Sequence, residues 1–110
     1  MSAGRPERLR ILGRYFGIAP TPDEHDEAVY GLMDQDSRTI YITDGQTGFD
    51  EVDTTLHEIM HAIRFTQGRE YGGEVEEDYV RSLATGLTNV FRDNPGLVRW
   101  ITTTLKHDKT

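Results

Sequence analysis

From residue 50 onward the apolar positions of this chain recur at helical intervals. Val52, Leu56, Ile59, Met60 and Ile63 have the spacing that lays a single stripe along a helix. They predict a helix over 50–67, with Asp50 or Asp53 as its cap and Gly68 as its stop. A second stripe, Val80, Leu83, Ala84, Leu87, Val90 and Phe91, predicts a helix over 74–92. Glu74, Glu76 and Glu77 open it, where acids suit the positive end of a helix dipole. Tyr71-Gly72-Gly73 makes a flexible connection between the two. Asp93-Asn94-Pro95 breaks the second helix and starts a third over 95–105, because proline is favoured in a first turn. That helix is expected to bury Leu97, Val98, Ile101 and Leu105.

The first half reads differently. Ala28–Met33 and the β-branched, aromatic run Arg38–Thr43 are strand-like, and the polar link Asp34-Gln35-Asp36-Ser37 suits a β-hairpin over 28–43. Within the N-terminal segment 1–20, Pro6–Phe16 reads as a short helix leading into a strand. Ala19-Pro20-Thr21-Pro22 interrupts regular structure, and the acids and histidine of 23–27 form a solvated loop. The fold class is therefore α+β, with a short antiparallel hairpin packed on the 50–67 helix and two further C-terminal helices.

Composition narrows the chemistry. The chain of 110 residues suits one domain, and with no cysteine it can build neither a disulfide, a thiolate nucleophile nor a Cys-ligated zinc site. Nineteen acids against twelve bases leave a net charge of -7, which argues against nucleic acid and anionic membranes as partners. No apolar run approaches the ~20 residues of a spanning helix, and arginines at 5, 8, 10 and 14 interrupt any leader-like segment. A cytoplasmic domain is expected.

The chemistry sits at His57-Glu58-Ile59-Met60-His61, an HExxH on the first helix. The i, i+4 spacing stacks both imidazoles on one face, where they can share one zinc ion. Glu58 projects toward the same opening and can take a proton from water and pass it to a leaving amine. A catalytic zinc site keeps three protein ligands and one open position. Metzincins continue with Gly and His where this chain has Arg64 and Gln67, so that class is excluded. His25 and His107 are poorly placed, which leaves a carboxylate from the second helix and a His-His-Glu, gluzincin-type set. On the helical wheel Glu76 lies nearest the centre of the Val80/Leu83/Leu87 stripe, while Glu77 shares a face with Val80, Arg81 and Ala84. Spacing leaves both open.

Thr54–Ile63, Glu76–Leu87 and Phe91–Pro95, with the hairpin upstream, resemble small phage and prophage metallopeptidases similar to the ImmA/IrrE group of zinc peptidases. The resemblance spans roughly residues 28–100 and implies a minimal zincin-like domain over 1–110. It implies one zinc ion held by His57, His61 and Glu77, because the group's third-ligand helix, laid on Leu83-Ala84, places the ligand at Glu77. Arg81 stands where the group usually has Asn or Asp. The resemblance also implies that Arg38–Thr43 is a sheet edge along which an extended peptide pairs. Tyr71, Tyr79 and Arg81 are candidate donors to an oxyanion.

The expected function is a zinc metalloendopeptidase acting on a protein or peptide, phage or prophage encoded and working in the host cytoplasm. The alternative is a zinc-stabilised domain of the same fold with little or no turnover, serving as a protein-interaction or anti-host module. A nucleic-acid-associated zincin of the SprT type is disfavoured by the acidic balance.

Overall fold

The computed structural model describes residues 4–22, 30–68 and 76–108. Side chains at 76–78, 80 and 81 also lie outside the described part. The N-terminal segment is a β-hairpin, not the expected helix. Leu9, Ile11, Phe16 and Ile18 are buried, while Arg8, Arg10 and Tyr15 point outward, a period of two that only strands place on one face. These residues form β1 (Arg8–Ile11) and β2 (Arg14–Pro20). Leu12 and Gly13 join them at φ 52° and 85°, the left-handed pair that a two-residue hairpin turn demands. On the outer face the Arg8 guanidinium lies 4.3 Å from the centre of the Tyr15 ring.

The second hairpin forms inside the expected span, with Asp34 ending its first strand and residues 28 and 29 outside the described part. β3 (Gly31–Asp34) and β4 (Thr39–Ile42) pair antiparallel, with Leu32 opposite Tyr41 and Met33 opposite Ile40. The Asp34 carboxylate closes the turn by accepting from Asp36 N at 3.1 Å and Ser37 Oγ at 3.0 Å. β4 also pairs in parallel with β2, which gives the sheet order β1-β2-β4-β3. Arg38–Thr43 is thus an interior strand and not a sheet edge, because β2 occupies its other side. The outer strand beside it is β3.

Three helices follow: α1 (Gly48–Thr66), α2 (Glu76–Asp93) and α3 (Pro95–His107). Thr47, not Asp50 or Asp53, caps α1, its hydroxyl accepting from Asp50 N. Asp50 and Glu51 fall in the first turn, where they favour the dipole. Gly68, at φ 71°, ends the helix as expected. α1 packs across β3 and β4, α2 lies against β1 and α1, and α3 closes on α1. Among the described residues the architecture is α+β, a mixed four-stranded sheet with three helices.

The second and third helices bury part of their expected stripes: Leu83, Leu87 and Val90 in α2 and Leu97 and Ile101 in α3 face the core. Among the described side chains of α2 the fully buried positions are Ser82, Gly86 and Val90, with Ala84 and Phe91 exposed; Val80 lies outside the described side chains. In α3 Leu97 and Trp100 are buried, whereas Val98 and Leu105 are exposed. A Cβ on Gly86 would stand 2.3 Å from Ile63 Cγ2, so the α1–α2 approach closes over a glycine that an apolar-stripe count ignores.

Candidate metal centre

The helical repeat of α1 brings His57 and His61 together on its exposed side, with ring centroids 4.8 Å apart and planes at 71°. Their Nε2 atoms are separated by 3.2 Å. Two imidazole nitrogens at about 2.0–2.1 Å from a tetrahedral zinc ion stand about 3.3–3.4 Å apart. The pair is therefore spaced as two corners of such a site, and neutral imidazole is a donor zinc accepts readily.

Glu58, next to His57, is only 7% exposed and close enough to both histidines for their charges to act on it. Burial raises its carboxyl pKa above the ordinary value, partly offset by the neighbouring His57 and His61. The first residue of β3 makes room for it. A Cβ on Gly31 would lie 2.7 Å from Thr54 Cγ2 and 3.1 Å from both Glu58 Cγ and Oε2. Gln46 ties the same corner together: its Nε2 donates to Tyr30 O (3.1 Å) and Thr43 O (2.9 Å), and its Oε1 accepts from Thr54 Oγ1 (2.7 Å). The carboxylate thus sits between the helix and the start of an edge strand.

On the other side of the histidines a cavity of about 260 Å³ separates α1 from α2. His57, Met60, His61 and Arg64 line it from α1, and Tyr79 and Leu83 from α2. Arg64 is 5% exposed. Its Nη1 donates to Ser82 Oγ at 2.6 Å, and its guanidinium carbon lies 4.0 Å from the centre of the Tyr79 ring.

His57, Glu58 and His61 are thus brought to one place. Glu77 and Glu76 open α2, but their side chains lie outside the described residues, as do Arg81's side chain and all of Glu74, Tyr71 and His25. Among the described residues no group of three or more His, Asp or Glu is assembled. Tyr79 lines the cavity with its ring against Arg64, and His107 is exposed at the end of α3. Gly31, Gln46, Arg64 and Ser82 escape sequence reasoning. Arg64 alone carries a visible signal, a charge three residues after His61 and next to the apolar Ile63.

The two sheet edges differ. Asn94 closes β1: its Oδ1 accepts from Arg10 N at 3.0 Å and its Nδ2 donates to Arg10 O at 2.7 Å. Asn89 Oδ1 accepts from Leu12 N at 3.1 Å. At β3, the bond from Thr43 N to Tyr30 O (2.9 Å) sets the alternation. Gly31 and Met33 therefore turn their backbone N–H and C=O away from β4.

In comparisons with known proteins, no family model, curated protein or solved structure matches this chain.

Proposed function

We propose that this chain is a zinc-dependent metallopeptidase that hydrolyses a peptide bond in a protein or peptide substrate. One observation carries the reading: the His57 and His61 Nε2 atoms stand 3.2 Å apart on one helix face, beside a buried Glu58. His57 and His61 hold the ion, and Glu77 completes the ligand set from α2, with Glu76 as the neighbouring alternative. Zinc, when bound, polarises the scissile carbonyl and lowers the pKa of water. Glu58 accepts a proton from the attacking water as its oxygen bonds to the carbonyl carbon. It then returns that proton to the amine nitrogen as the C–N bond breaks. Burial favours this exchange, because a carboxylate short of solvent gives up little hydration when it takes the proton.

The outward-facing backbone of Gly31 and Met33 supplies the place for an extended substrate, which would add as a strand beside Glu58. Among the described residues no helix is long and apolar enough to cross a membrane, and the acid excess suits a cytoplasmic protein.

Glu58→Gln tests the reading. It keeps shape while removing the base, so zinc stoichiometry should match wild type and peptide hydrolysis should fall by at least ~100-fold. Equal cleavage by both proteins against a peptide library would overturn it.

A further inference from the structure

We infer that Arg64 is a positioning residue of the metal centre: by clamping Tyr79 and Ser82 it sets the first turns of α2 opposite His57 and His61, so cation affinity depends on a side chain that is not a ligand. The inference rests on the proposed metal site.

Two kinds of contact act on the register of α2, apolar packing and a polar clamp. Apolar stripes tolerate small slides and rotations, whereas a polar clamp with fixed geometry does not. Arg64 stands one turn beyond His61 on the cavity wall. A guanidinium is costly to bury without partners, yet here it is 5% exposed. One nitrogen and the broad face are used together: Nη1 donates to Ser82 Oγ at 2.6 Å, and the guanidinium lies over the Tyr79 ring at 4.0 Å. Lysine has no equivalent geometry. Gln67, in the next turn, adds a bond from Nε2 to Ser82 O at 3.1 Å.

These ties are placed where they matter. Ile63 against Gly86 sets how closely the helices approach, and Arg64 sets the turn of α2 nearer its N-terminus. That turn leads directly to Glu76 and Glu77. Tyr79 and Leu83 also wall the cavity beside the histidines. A leucine at position 64 would fill the same space and bring no register with it.

The test uses the whole chain, stripped of metal by chelation and dialysis and titrated with Zn²⁺ by calorimetry and with Co²⁺ by visible absorption. Arg64→Met keeps length and apolar contact while removing the clamp. Its zinc affinity should fall at least tenfold, and its cobalt bands should weaken as the coordination loses tetrahedral character. Ser82→Ala should weaken zinc several-fold, and Arg64→Lys should recover only part of the loss. Should Arg64→Met not fold, Ser82→Ala and Tyr79→Ala each remove one tie and carry the same expectation. A merely structural arginine would lower the melting temperature and leave the cobalt spectrum and zinc affinity of the folded variants unchanged. That result overturns the inference if His57→Ala/His61→Ala abolishes binding in the same assay. If the double histidine variant binds zinc like wild type, the metal site itself fails and the inference with it.

Discussion

At the scale of single residues, Glu58 shows most clearly a group held against its own solvation preference. Burial raises its pKa, and the His57 and His61 charges only partly offset this. The folded chain therefore binds the Glu58 proton more tightly than the unfolded chain does. Below the ordinary carboxyl pKa both states carry the proton and nothing is lost. As pH rises through that value and past the folded one, the unfolded state releases its proton first, and stability falls. Glu58→Gln has no such titration. In the presence of a chelator it should melt above wild type at pH 7, and the difference should vanish near pH 4; a pH series of thermal melts decides this. Gly31 is the counterpart on the strand, since the carboxylate occupies the space its side chain would need.

At the scale of elements, the α1–α2 contact turns on a single missing methyl group. Gly86→Ala gains helix propensity worth up to ~1 kcal/mol, but its Cβ would fall 2.3 Å from Ile63 Cγ2. Overpacking of that kind costs ~1–3 kcal/mol, so urea unfolding should show a net loss. Combined with Ile63→Ala, the loss should be smaller than the sum of the two single losses, because the clash has been removed. The same contact explains what could be read in advance and what could not. α1 was legible because its stripe and HExxH share one period, though Met60, expected on the stripe, is exposed beside the cavity. α3 was legible because Asn94-Pro95 marks its start. The face of α2 was legible only in part: Leu83, Leu87 and Val90 face the core as their spacing suggests, but Gly86 and Ser82 are turned inward with them. The β1–β2 hairpin was not legible, since Leu9, Ile11 and Leu12 also fit a helical spacing. Only the left-handed turn at Leu12-Gly13 separates the two readings. Sheet order hides for a further reason: parallel pairing of β2 with β4 joins segments far apart in sequence, and it moves the free edge to β3. Met33→Pro probes that edge. It deletes an outward N–H, a place where strands tolerate proline. It should fold within ~1 kcal/mol of Met33→Ala yet hydrolyse peptides at least ~10-fold more slowly, read as initial rates on one substrate.

For the molecule as a whole, the question is how much stability the proposed metal would add. The sheet and helices share one core that needs no ion, and β1 is sealed by Asn89 and Asn94 without one. The metal-free chain should therefore remain folded, unlike small zinc modules whose core is the site itself. The proposed site brings together a buried carboxyl and two imidazoles with their Nε2 atoms 3.2 Å apart, and the sequence adds two adjacent acids, Glu76 and Glu77, at the start of α2. These are the groups sequence spacing could nominate, because ligand chemistry demands their types. Their supports, Gln46 and Arg64, could not be nominated, because they act through partners distant in sequence. Binding to the native state alone raises stability by mass action, about 2.7 kcal/mol at free zinc one hundred times the dissociation constant. For a chain of this size that is a rise of roughly 10 °C in melting temperature. The rise should be abolished in His57→Ala/His61→Ala. It should be lost in whichever of Glu77→Ala and Glu76→Ala removes a ligand and retained in the other. Differential scanning calorimetry with and without zinc measures all of these, and a rise unchanged in the double histidine variant would place the ion elsewhere.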